Sequence, residues 1–130
     1  MRLTVAEDYE LYLRLAALAP FHFIAEDLVH CRAQPGGLSA DVLEGIDQVE
    51  RVVKAAIERE RVGQALAARA LASLDLRRYK QLLRRAAPKD ERLKHVRAAL
   101  AKDAGYALAR ALLLAEQLGL AGLVRILSRS

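Results

Sequence analysis

Two adjacent carboxylates, Glu7 and Asp8, stand at the start of the first apolar-periodic segment of this 130-residue chain. A carboxylate at a helix start, within hydrogen-bond reach of a hydroxyl, can take its proton as a general base. The same pair can serve the helix alone, because acids suit the positive end of the helix dipole and accept its orphan N–H groups. Arg32 can pair with a phosphate or with a carboxylate at a strand end. The densest basic run, Arg77-Arg78 with Lys80, Arg84 and Arg85, could meet phosphates of an anionic membrane or of nucleic acid, or form a solvated helix face. Tyr79, the one aromatic residue within it, belongs to the predicted apolar face and not to the basic one, and no helix-turn-helix turn is evident, which argues against nucleic acid. His22, His30 and His95 have no second histidine or cysteine three or four residues away, so no metal site is expected. Cys31, the single cysteine, cannot form an internal disulfide and reads as a small apolar residue in a strand.

Composition bounds these options. Hydrophobic residues make up 54% and charged residues 28%, ordinary for one globular domain and not for wholesale disorder. No run of about 18 apolar residues is free of charge. The best stretch, Ala104 to Val124, is broken by Arg110 and Glu116. The acids Glu7, Asp8 and Glu10 do not suit a signal peptide. A cytoplasmic location is the expectation, with peripheral contact to the inner face of the membrane through the basic run. The net charge of +5 is unevenly spread: residues 1–40 hold three basic residues and five acids, and residues 41–130 hold the remaining 18 basic residues and 11 acids. The division predicted from this shift is 1–39 and 40–130.

The elements that must position Asp8 follow from periodicity. Leu11, Leu15 and Leu18, with Tyr12 beside them, predict a helix over residues 8–19 that Pro20 ends. Phe21-His22-Phe23-Ile24 alternates and predicts a strand, and Leu28 to Arg32 a second. Gln34-Pro35-Gly36-Gly37 is a loop by turn chemistry. Residues 40–130 read as helices. Leu43, Ile46, Val49, Val53 and Ile57 form one stripe, with Asp41 as N-cap and Glu44 three residues on. A break is expected near Arg61–Gly63, then a helix ending near Ser73. A third is predicted over 76–87 capped by Asp75, a fourth from Pro88 to about Asp103, and a last from Tyr106. Residues 120–127 read as a separate turn or short helix. The predicted fold class is mainly α: a short helix, a small two-strand element, then an antiparallel helical array.

Read in order, Glu7-Asp8-Tyr9-Glu10-Leu11-Tyr12-Leu13-Arg14-Leu15-Ala16, Pro20-Phe21-His22-Phe23-Ile24, and Leu28 through Ser39 resemble the acceptor-side end of family 2 of the glycosyltransferases. The resemblance covers about 33 residues of the 130. It implies the remnant of a GT-A type α/β domain with a helical tail, and inverting transfer of a sugar from a nucleotide-sugar donor to an acceptor glycan. Asp8 would then be the general base with Glu7 beside it, and Arg32 and Ser39 would stand in the donor and acceptor loop. Cys31, Gln34 and Gly37 replace the family's tyrosine, histidine and first serine. The family's Asp-x-Asp, which holds a divalent cation (Mg or Mn), does not occur here, and neither does a glycine-rich phosphate loop. The resemblance therefore implies a chain inactive by itself, with no cofactor of its own, that partners a missing donor domain or self-associates. The alternative is a small helical protein-interaction module without catalysis, for which residues 1–39 are a docking surface.

Overall fold

In the computed structural model, residues 6–30 and 41–128 are described. Six helices run along them: α1 (Glu7–Leu18), α2 (Val42–Arg59), α3 (Gln64–Arg84), α4 (Lys89–Lys102), α5 (Ala107–Gln117) and α6 (Ala121–Leu127). The protein is mainly helical, and no strand forms among the described residues. The chain divides into two compact units, Met1–Arg61 and Val62–Ser130.

In the first unit, α1 begins behind three acids in its first turn, Glu7, Asp8 and Glu10. It ends at Leu18, just before Pro20, as ring sterics demand. α2 starts where Asp41 accepts from the amides of Leu43 and Glu44. Of the predicted stripe, Ile46 and Val53 are buried, and Leu43, Val49 and Ile57 are half-buried. Glu44 does not close a capping box by these contacts: its carboxylate takes Gln48 at 3.2 Å and Arg51 at 3.3 Å. α1 packs against α2, and Glu10 is shared between Arg14 on α1 and Arg59 on α2.

The two-strand element is corrected here. Phe21–Ile24 has no regular secondary structure, and neither do residues 28–30. Phe23 is 92% exposed. Alternation supplies a strand only when a partner lies alongside, and an isolated two-stranded ribbon is marginal in water. Phe21 instead turns its ring edge to Tyr12, with centroids 6.5 Å apart. Residues 31–32 of the second predicted strand lie outside the described residues.

The second unit packs α3 on α4, α4 on α5 and α5 on α6. The array is antiparallel where ion pairs fix its ends. Arg69, early in α3, pairs with Asp103 just past α4; Arg92, early in α4, pairs with Glu116 late in α5. Tyr79, Leu76, Leu112 and Val96 are fully buried in its core. α3 is one helix of 21 residues, with no break at Ser73. Asp75 is therefore not an N-cap. Its side chain is buried and accepts from Lys102 on α4 and, at 3.5 Å, from Arg78. The Ser73 hydroxyl folds back onto the Ala70 carbonyl at 2.7 Å, so a cap-like pair sits mid-helix without ending it.

α3 and α5 end in the same way. Ala86 N–H donates to Leu83 O and Ala87 N–H to Leu82 O; Gly119 N–H donates to Glu116 O and Leu120 N–H to Ala115 O. These are paired Schellman closures, which need a left-handed residue after the cap. Gly119 supplies it at φ 70°, and Ala86 is forced into it at φ 53°.

Candidate functional site

Glu7 and Asp8 lie in the first turn of α1, and both are exposed. The residue at the N-cap position is Ala6, whose side chain has no hydrogen-bonding group. Asp8 Oδ1 accepts the neighbouring Tyr9 N–H at 2.7 Å, so the carboxylate satisfies one orphan amide of the helix start. Its other oxygen has no protein partner among the described residues. Arg32 and Ser39, and the substituted positions Cys31, Gln34 and Gly37, lie outside the described residues. The loop chemistry expected of them is thus not assembled around Asp8 by any described contact.

None of the twelve residues of α1 is buried. Leu11, Leu15 and Leu18 form the predicted apolar stripe, and Leu18 is 82% exposed. Phe21, Phe23, Ile24, Leu28 and Val29 extend that exposed apolar surface.

A second polar centre, not anticipated from the sequence, lies inside the helical array. Glu116 is buried on α5. Its Oε1 accepts the Tyr79 hydroxyl at 2.8 Å and Arg92 Nη2 at 2.9 Å, and Oε2 accepts the same Nη2 at 3.2 Å. Arg92 Nη1 donates to the Ala87 carbonyl at 3.0 Å, and Lys89 Nζ to the Glu116 backbone carbonyl. Burial, with Glu116 beside it, pushes the Tyr79 hydroxyl well above the ordinary tyrosine range, so Tyr79 remains a neutral donor. The sequence signal was present: Glu116 interrupts an otherwise apolar stretch of α5, and an acid there needs a partner.

The basic run does not form one surface. Arg77, Arg84 and Arg85 are exposed, but Arg78 turns to Asp75 and keeps only 13% of its side chain exposed. His22 and His30 are exposed, and His95 is half-buried on α4. Among the described residues, no three His, Cys, Asp or Glu side chains converge. No such group among the described residues fits a divalent cation. No described helix is long and apolar enough to cross a membrane. No protein-family model matches the chain, and neither a curated protein nor a solved structure does.

Proposed function

We propose that this chain is the acceptor-side part of a family 2 glycosyltransferase, followed by a helical tail, and that it works with a donor-binding half from outside these 130 residues. The observation that carries the reading is the pairing of an exposed carboxylate, Asp8, with a helix that buries none of its own residues. A general base must be open to its substrate, and an amphipathic helix must rest its apolar side on something. A donor half seated on Leu11, Leu15 and Leu18 would meet both needs.

In this reading Asp8 takes the proton of the acceptor hydroxyl while that oxygen attacks the anomeric carbon and the nucleoside diphosphate leaves. Glu7 adds negative charge beside it. Arg32 offers a guanidinium to the diphosphate, and Ser39 a hydroxyl to the acceptor loop. The divalent cation and nucleotide clamp belong to the donor half.

The experiment is reconstitution. The chain alone should transfer no sugar above background; with a family 2 donor half, fused or added in trans, transfer should appear. Asp8→Asn should then cut turnover by about 10²–10⁴-fold without weakening substrate binding, because the amide keeps the shape but accepts no proton. Near-full turnover in Asp8→Asn would defeat the assignment.

The exposed surface of α1 also favours a second reading, a protein-interaction module without catalysis. Binding of a partner through Leu11, Leu15 and Leu18, with no transfer in any reconstituted form, would select it.

A further inference from the structure

A cleft of about 670 Å³ opens in the helical array where α3 ends, α4 begins, α5 ends and α6 begins. Its volume is that of a small-molecule site. Arg84, Lys89, Arg92 and Arg125 line it, with Glu116 as the only acid among the described residues. The cleft is therefore cationic, with four positive side chains against one carboxylate.

That carboxylate is already engaged. Both Glu116 oxygens accept from Arg92, and Oε1 also takes Tyr79. Arg84 and Arg125 are exposed, and their side chains make no hydrogen bond or ion pair among the described residues. Arg92 also lines the cleft, but its side chain is already engaged. Its Nε is buried and has no hydrogen-bond partner, although both of its terminal nitrogens are bonded. With no surface open to the cleft, that Nε cannot meet a ligand, so Arg92 contributes its charge while the exposed Arg84 and Arg125 supply the free donors. Beside these cations the wall is apolar: Leu83, Leu120 and Val124 line the same cleft.

We propose that this cleft binds a phosphorylated amphiphile, its phosphoryl group between Arg84, Arg92 and Arg125 and its apolar body along Leu83, Leu120 and Val124. Three guanidiniums favour phosphoryl over carboxylate. A phosphoryl group offers three acceptor oxygens and up to two negative charges to these three cations, and a carboxylate offers two oxygens and one charge. The apolar wall favours an attached hydrocarbon over inorganic phosphate. The proposal does not depend on the glycosyltransferase reading, since no residue of α1 takes part.

The test is calorimetric titration of the full chain with octyl phosphate below its micelle concentration, inorganic phosphate and 1-octanol. Octyl phosphate should bind saturably and at least tenfold more tightly than either fragment. The double variant Arg84→Glu/Arg125→Glu should lose at least tenfold. Lys94→Glu/Arg97→Glu, the same change of charge on exposed positions of α4 outside the cleft, should lose less than twofold. Arg125→Gln, a milder change, should weaken binding in the same direction and guards against a folding defect in the double variant. Flotation with phosphatidylcholine vesicles, with and without phosphatidic acid, separates the sources. Capture that needs phosphatidic acid, Arg84 and Arg125 assigns a membrane lipid; octyl phosphate binding without capture assigns a soluble phosphate ester. The proposal is overturned if octyl phosphate does not bind saturably, if it binds no better than inorganic phosphate, or if the two double variants weaken it equally.

Discussion

The Tyr79 hydroxyl donates to Glu116 Oε1 at 2.8 Å, joining the middle of α3 to the end of α5 across 37 positions of sequence. Tyr79 is fully buried and Glu116 is nearly so. A buried carboxylate is tolerated only when its lone pairs are used, and here Tyr79 and Arg92 use them. Three helices thus meet at one side chain.

Tyr79→Phe keeps the ring and its packing and removes one donor to a charged acceptor. Such bonds contribute about 1.5–3 kcal/mol, so the unfolding midpoint should fall by several degrees with the helical content unchanged. Thermal denaturation followed by circular dichroism checks it. An unchanged midpoint would show that the bond contributes nothing.

Glu116→Ala should cost more, at the lower end of the roughly 3–5 kcal/mol expected when one partner of a buried pair is removed. Arg92 keeps 16% of its side chain exposed, which lets water take part of the load. A double-mutant cycle of Glu116→Ala with Arg92→Leu should show that the second change recovers part of the loss. Simple additivity would argue against coupling between the two residues.

Ala86 and Gly119 hold equivalent positions after α3 and α5, and both have positive φ. The left-handed conformation costs an alanine about 1–2 kcal/mol, and glycine's greater unfolded freedom offsets about half of that. Ala86→Gly should therefore stabilise the protein by roughly 0.5–1 kcal/mol. Gly119→Ala should destabilise it by a similar amount, because a Cβ there meets no atom within 4 Å and only the backbone objects. Thermal melts of the two variants should shift in opposite directions.

His95 gives a pH dependence. Burial disfavours its charged form and lowers its pKa; Asp75 and Glu91 pull the other way, while Arg78 and Lys102 reinforce the lowering. The folded state therefore binds this proton less readily than the unfolded chain. His95 imposes no penalty above the ordinary histidine value of about 6.5, and stability falls as pH drops below it. His95→Gln should flatten that part of the stability profile just below about pH 6.5. Parallel profiles for the two proteins would exclude His95 as the source.

Local signals carried α2 well, because the Asp41 cap and the stripe through Ile46 and Val53 state the same helix twice. Pro20 and Gly63 marked real boundaries. Asp75 misled for a tertiary reason: Ser73-Leu74-Asp75 has the chemistry of a helix start, but Lys102 on α4 and Arg78 hold the carboxylate inside a continuous helix. Phe21–Ile24 misled in the opposite way, since its alternation was genuine and its partner strand absent among the described residues. Of the candidate site, the place of Glu7 and Asp8 at a helix start was legible, because acids and the following leucines fix that boundary. The Glu116 centre was not, because its members are far apart in sequence and only packing brings Tyr79 and Arg92 to one carboxylate and Lys89 to the Glu116 backbone carbonyl.

The packing of each helix chiefly on its sequence neighbour has a consequence for synthesis. As the chain leaves the ribosome, α3 and α4 can pair while α5 is still being made, because nothing distant is needed to hold them. The nascent hairpin still carries Tyr79 and Arg92 without the carboxylate they share in the finished protein. Glu116 arrives late and closes the account. A chain that stops short of α5 leaves Tyr79 and Arg92 facing water, and with them the apolar side chains that Leu112 and Ala115 cover in the finished protein.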